Sequence, residues 1–92
     1  MPTMYPGFSW HNLRKPIERP INSIPRQGGE FLWKQAHGMI SDPNIKTIWL
    51  AQFDELDEAT AIFKVKAKQS DLPAKGNWIG LDVDGHDLPS DW

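Results

Sequence analysis

The run IKTIWLAQF at residues 45–53 is mostly apolar and rich in β-branched side chains. Such a run is typical of a strand that is buried on both faces of a parallel sheet. The run EFLWKQAHGMI at residues 30–40 has apolar residues at helical spacing and follows two glycines, so we predict a helix there. The run PTMYP at residues 2–6 predicts a further short strand. The order strand, helix, strand predicts a βαβ unit of an α/β fold.

The rest of the chain is rich in turn-forming residues. Residues 8–12 are predicted to lie on a loop, and the proline-containing segment 13–27 is typical of a long ordered loop or lid. Residues 60–65 fit either a short helix or a strand, and residues 78–81 predict a third strand. Trp33 and Trp49 fall within the predicted helix and strand, so we expect both to pack in the core.

The length of 92 residues allows one domain with a single modest core. Residues 87–92 carry acids and a proline placed as in the first turn of a helix, and the strand at residue 2 has no element before it. Exposed parallel strands at both edges are an aggregation liability. We therefore expect residues 1–92 to be a single partial domain of a larger α/β fold that can self-associate through its exposed sheet edges.

Composition excludes several classes of protein. No apolar run approaches the ~20 residues that span a bilayer, and the absence of cysteine excludes disulfides and thiolate metal sites. The formal net charge of −2 divides into +3 over residues 1–35 and −5 over residues 36–92. Because nucleic-acid affinity rests on basic side chains, we expect no nucleic-acid partner. No secretory signal pattern is visible, so the default localisation is the cytoplasm.

Four acidic residues, Asp54, Glu55, Asp57 and Glu58, come directly after the predicted strand at 45–53. The carboxyl ends of parallel strands carry the functional sites of many α/β folds. The i, i+3 spacing of Glu55 and Glu58 predicts two carboxyl groups on one side of a helical turn. Two such groups cleave glycosidic bonds, and their separation decides retention or inversion of configuration. A solvated acidic turn or an opportunistic cation site is the alternative, which the spacing alone favours.

Trp10 and His11 are expected on the same rim as the acidic residues if the strands are parallel. Aromatic rings beside carboxylates suit a sugar, through stacking and hydrogen bonds, whereas simple packing with a surface histidine is the alternative. The three histidines lack the spacing of a zinc site. The aspartates of residues 82–87 lack the spacing of an EF-hand, so a turn after a strand is expected there. Neither a metal nor a cofactor is predicted.

Four blocks of sequence carry a resemblance to a known family. They are PGFSWHNL at residues 6–13, PRQGGEF at 25–31, FDELDEATAIFK at 53–64 and DGHDLPSDW at 84–92. In this order they resemble the C-terminal part of bacterial proteins related to glycoside hydrolase families 71 and 99, often labelled xylosidase/arabinosidase-like. The resemblance extends over nearly the whole chain.

The resemblance implies a (β/α)8 TIM barrel, of which this chain would be the C-terminal third, with two to three parallel strands, one main helix and long loops. It implies a catalytic Glu-x-x-Glu pair in which Glu58 is the general acid and Glu55 the base; in family 99 the base assists the sugar's own 2-hydroxyl. The family usually has glycine where this chain has Ala59. If that glycine takes a positive φ, alanine is expected to shift the backbone of Glu58.

Two functions follow as expectations. The first is part of a glycoside hydrolase that acts on an α-linked glycan and is inactive as the isolated chain. Its substrate subsite is expected to be shaped by Trp10, His11 and Asp54. The alternative is a non-catalytic truncated fragment, or a small carbohydrate-binding or assembly module.

Overall fold

The computed structural model of the chain describes residues 1–13, 20–64, 66–76 and 78–85. The elements in chain order are strand β1 (Thr3–Met4), a 3-10 helix (Gln27–Gly29), helix α1 (Glu30–Ile40), strand β2 (Trp49–Leu50) and two further 3-10 helices (Gln69–Asp71 and Leu81–Asp84). The helix predicted at residues 30–40 is confirmed. None of the helices in the described ranges has the length and apolar character needed to cross a bilayer.

Strands β1 and β2 form a parallel two-stranded sheet, with Thr3 opposite Trp49 and Met4 opposite Leu50. The amide of Ala51 extends the pairing by donating to the carbonyl oxygen of Met4 at 2.9 Å. Helix α1 lies between the two strands along the chain, so the structure has the predicted order of strand, helix and parallel strand. Both strands are shorter than the predicted runs.

A glutamine joins helix α1 to the end of β1. The Gln35 side chain donates from Nε2 to the carbonyl oxygen of Tyr5 at 2.8 Å, and its Oε1 accepts from the Tyr5 amide at 3.3 Å. The side-chain amide thereby takes the place of a neighbouring strand. The ring of Tyr5 also meets Phe31 of α1 edge to face, with centroids 5.4 Å apart. The helix is therefore fixed on the sheet at the point where the chain enters the aromatic loop.

The solvent exposure of the strand and helix side chains differs most from the predictions. Trp33 is 69% exposed and Trp49 is 56% exposed, so the prediction that both pack in the core is wrong. Strand β2 is exposed at both of its residues and is not buried on both faces. A strand buried on both faces needs a covering layer on each side, and within the described residues α1 contacts β1 and not β2. The buried apolar side chains of the described part are all small and include those of Pro6, Ala61 and Ala67.

The prediction of a third strand at residues 78–81 is also wrong. The amide of Gly80 donates to the side-chain Oε1 of Gln69 at 2.7 Å, and the chain then turns into the 3-10 helix Leu81–Asp84. The hydrogen bonds of this segment therefore go to a side chain and a turn, where a strand would need a backbone ladder. The turn expected among the aspartates is present, but no strand precedes it.

The remaining predictions concern loops. Residues 60–64 form neither a helix nor a strand, and residue 65 lies outside the described residues. Within the loop predicted at 13–27, residues 14–19 lie outside the described residues as well. The helix start predicted at 87–92 is likewise outside them.

Candidate functional site

The acidic segment forms a tight turn that fixes the backbone of both glutamates. The amide of Ala59 donates to the carbonyl oxygen of Leu56 at 3.1 Å, and the amide of Thr60 donates to that of Glu55, also at 3.1 Å. Ala59 is left-handed, with φ of 58°. Two nested hydrogen bonds around a left-handed residue are the Schellman motif that commonly ends a helix. Glu55 opens this motif, and Glu58 is its last residue before the left-handed position.

Ala59 occupies a position that favours glycine, because a side chain at this positive φ crowds the backbone. We expect Ala59→Gly to raise the free energy of unfolding by about 1 kcal/mol. Urea titration followed by tryptophan fluorescence measures the change. The matched control is Ala36→Gly within α1, which we expect to lower the free energy of unfolding by about 1 kcal/mol. Losses of stability in both variants would contradict a strained Ala59.

Arg26 holds the same turn from a distant segment of the chain. Its Nη2 donates to the carbonyl oxygens of Ala59 at 3.0 Å and Ala61 at 2.6 Å. The side chain is half-buried, and loss of solvent lowers the pKa of the guanidinium from its ordinary value. Among the described side chains, Arg26 has no ion-pair partner. Sequence reasoning missed this residue, because a single arginine between prolines carries no signal of its contacts.

The aromatic loop predicted at residues 8–12 packs against the acidic turn. The amide of Ser9 donates to the carbonyl oxygen of Glu58 at 2.7 Å, and Ser9 is buried. Phe8 and Ile24 exchange two backbone hydrogen bonds of 2.9 Å in an antiparallel bridge. The ring of Phe8 meets Trp10 edge to face, with centroids 5.1 Å apart. These contacts hold Trp10 beside the segment that carries Glu58.

Glu58 and Trp10 line one cavity, which we call the larger cavity. Its volume of about 390 Å³ falls within the range of ~300–1,000 Å³ that is usual for ligand pockets. The other lining residues are aromatic, apolar or polar and uncharged: Tyr5, Phe8, Ile24, Ala51, Gln52 and Thr60. The structure thus brings together two of the five predicted site residues in a space large enough for a small ligand.

The other predicted site residues are not part of the lining of the larger cavity. The Glu55 carboxylate accepts a hydrogen bond from the amide of Asp57 at 2.9 Å, within its own turn. Asp54 is exposed, and His11 lies in the turn that follows Trp10. The joint action of Glu55 and Glu58 at one cleft therefore stays a prediction.

Thr60 is a polar member of the cavity wall that sequence reasoning missed. It is 3% exposed, and within the described ranges its hydroxyl has no hydrogen-bond partner. Buried hydroxyl groups normally have one. Its burial depends on backbone pairing with a neighbouring segment, since the Gln52 amide donates to the Thr60 carbonyl oxygen at 3.3 Å. No sequence pattern marks a threonine as buried in this way.

Residues 57–61 form a wall between the larger cavity and a second one of about 280 Å³, which we call the smaller cavity. Residues 58 and 60 line the larger cavity, and residues 57, 59 and 61 line the smaller one. The turn around Ala59 and the residues directly after it therefore contribute to both linings. The part of the chain that the structure describes contains no cluster of three or more His, Asp or Glu residues able to hold a metal ion.

Comparison of the chain with protein-family models, with curated proteins and with solved structures found no match in any of the three. The class of protein that the described residues define is a small α/β chain with a parallel strand pair, one helix and an aromatic, carboxylate-containing cavity. A functional proposal therefore rests on the geometry of this cavity and on the resemblance noted from the sequence.

Proposed function

We propose that the chain is part of a carbohydrate-active protein, a glycoside hydrolase, in which the larger cavity forms one side of a sugar-binding cleft. The meeting of Glu58 and Trp10 in this cavity is the observation that carries the proposal. A sugar offers a C–H face that stacks on an aromatic ring and hydroxyl groups that bond to carboxylates. The hydroxyl of Thr60, which has no hydrogen-bond partner among the described residues, adds a further polar group to the same wall.

In this proposal Glu58 acts as the general acid and protonates the leaving oxygen of the glycosidic bond. A second carboxyl group, assigned to Glu55, acts as the base. The Schellman turn supports this assignment in that Glu55 and Glu58 belong to one hydrogen-bonded turn. In the free chain the Glu55 carboxylate is engaged by the amide of Asp57. We therefore expect no turnover from the 92-residue chain alone.

The parent fold that we propose is a (β/α)8 barrel, of which this chain is the C-terminal portion. Support comes from the parallel pairing of β1 and β2 and from the position of α1 between them along the chain. In such barrels the site lies at the carboxyl ends of the strands. The segments that line the larger cavity follow β1 and β2 directly, which agrees with that arrangement.

Binding of sugars to the isotope-labelled chain tests the proposal, with α-linked disaccharides of mannose, glucose, xylose and arabinose as probes in NMR titrations. We expect weak binding of at least one disaccharide, with shifts at Thr60 and at the Trp10 indole. Trp10→Ala is expected to weaken binding about fivefold, because an aromatic contact contributes roughly 1 kcal/mol. Trp33→Ala is the matched control, since Trp33 lies exposed on α1, and we expect it to leave the affinity unchanged.

Two results would contradict a sugar site at the larger cavity. One is the absence of binding by every disaccharide, and the other is an equal loss of affinity in the Trp10→Ala and Trp33→Ala variants. Assays with p-nitrophenyl glycosides address the chemistry separately. Hydrolysis that disappears in Glu58→Gln would overturn the expected inactivity of the isolated chain while supporting Glu58 as the acid.

A non-catalytic carbohydrate-binding or assembly module is the second candidate. Its support is the exposure of large apolar side chains, among them Ile40 at 75% and Phe53 at 67%. Short parallel strands with unpaired edges are ready templates for pairing with a second copy. An assembly module is expected to be dimeric or larger by light scattering and to bind none of the disaccharides, an outcome that separates it from the first candidate.

A further inference from the structure

The smaller cavity contains two charged groups of opposite sign whose hydrogen-bonding capacity is only partly used. Arg26 lines this cavity, and only its Nη2 has partners among the described residues, which leaves Nε and Nη1 unpaired. Asp84 lines it as well. Its Oδ2 accepts from the amide of Gln27, and its buried Oδ1 has no partner in the described ranges. A charge removed from water is costly unless it is fully hydrogen-bonded.

The two groups do not satisfy one another, because no ion pair joins them within the described part of the chain. They nevertheless lie in the same region, since the Asp84 carboxylate is bonded to the residue that directly follows Arg26. Two further charged residues of the lining, Asp57 and Lys66, are exposed to solvent. Water and salt screen these exposed charges, so Arg26 and Asp84 dominate the electrostatics of the interior.

The remainder of the lining is largely apolar. It includes six aliphatic side chains: Ile21, Ile24, Leu56, Leu72, Ile79 and Leu81. The volume of about 280 Å³ lies just below the usual range for ligand pockets, which begins at ~300 Å³. The cavity therefore suits a small molecule with one acidic group, one basic group and a short aliphatic body.

We infer that the smaller cavity binds an apolar α-amino acid. Its carboxylate accepts from Nη1 of Arg26, its ammonium group donates to Oδ1 of Asp84, and its aliphatic side chain lies against the apolar wall. A single zwitterion of this kind supplies the acceptor that Arg26 lacks and the donor that Asp84 lacks. The site is separate from the larger cavity, and it stands whether or not that cavity binds a sugar.

Three small ligands that share the carbon skeleton of leucine test this inference on the unmodified chain. They are L-leucine, 4-methylpentanoate, which lacks the ammonium group, and 3-methylbutylamine, which lacks the carboxylate. In NMR titrations of the labelled chain we expect leucine to shift the amides of Ala61 and Gly80. Each of the other probes is expected to bind at least about tenfold more weakly, because each loses a charge-assisted hydrogen bond. Binding of 4-methylpentanoate as tight as that of leucine, or no binding of leucine, would overturn the inference.

A pair of variants assigns the ammonium contact. Asp84→Asn keeps the shape of the side chain but removes its charge, so we expect about tenfold weaker leucine binding with an unchanged affinity for 4-methylpentanoate. Asp71→Asn, at an exposed aspartate of the 3-10 helix Gln69–Asp71, is the matched control and is expected to change neither affinity. An equal loss of leucine affinity in both variants would refute the role of Asp84.

Discussion

Replacement of Arg26 by methionine is expected to lower the free energy of unfolding by about 3 kcal/mol. The guanidinium makes two hydrogen bonds to the carbonyl oxygens of Ala59 and Ala61. Hydrogen bonds from a charged donor contribute ~1.5–3 kcal/mol each, and methionine leaves both carbonyl oxygens without this donor. A chain of this length has a total stability of roughly 5–14 kcal/mol, so the loss is a large share of it. Urea titration followed by tryptophan fluorescence measures the effect.

Lys34→Met is the matched control, because it removes the same charge and introduces the same side chain. Lys34 pairs with Glu30 at 2.7 Å on the exposed face of α1. Such surface pairs contribute ~0.3–0.5 kcal/mol, so we expect a correspondingly small change. Equal destabilisation by the two substitutions would show that Arg26 has no special role in holding the turn of the glutamates.

Gly80→Ala is expected to destabilise the chain by about 2–3 kcal/mol through crowding alone. A Cβ atom at this buried position would lie 2.5 Å from the amide nitrogen of Gln69 and 2.6 Å from Oδ1 of Asp82. Relief requires movement of the Gln69 backbone, which itself accepts and donates hydrogen bonds across this turn. Thermal unfolding followed by circular dichroism measures the loss.

The same substitution at Gly38 is the control and is expected to have the opposite sign. Gly38 lies within α1, and a Cβ there meets nothing within 4 Å. Alanine is favoured over glycine in a helix interior by about 1 kcal/mol, so Gly38→Ala should raise the melting temperature. A fall in stability for both variants would show that crowding is not the reason for glycine at position 80.

The helix and the strand pair could be predicted because their signals are local. The period of apolar residues in α1 and the glycines before it are contained in residues 28–40. The β-branched run that contains β2 is similarly local. The exposure of Trp33 and Trp49 could not be predicted in this way, because burial depends on which other layers cover an element. A continuous apolar run predicts a strand, but it does not supply the second layer.

The features of the candidate site likewise differ in whether the sequence could predict them. The proximity of the aromatic loop and the acidic segment was predictable, since both follow strands that are parallel. The contacts of Arg26 and Thr60 were not, because they join segments that are distant in the chain. The Nη2 atom of Arg26, for instance, bonds to a carbonyl oxygen 33 residues away. Ala59 is an intermediate case, because the resemblance raised a positive φ at this position only as a condition, and the structure has a φ of 58° there.

The wall formed by residues 57–61 implies thermodynamic linkage between the two cavities. Arg26 donates hydrogen bonds to the carbonyl oxygens of Ala59 and Ala61 in this wall. Glu58 and Thr60, in the same wall, line the larger cavity. A ligand that draws the guanidinium away from these carbonyls changes the wall that both cavities share. Any resulting change in affinity must be reciprocal: the factor by which an amino acid alters sugar binding equals the factor by which the sugar alters amino-acid binding. If both proposed sites bind their ligands, the segment of residues 57–61 would couple the two sites within one small chain.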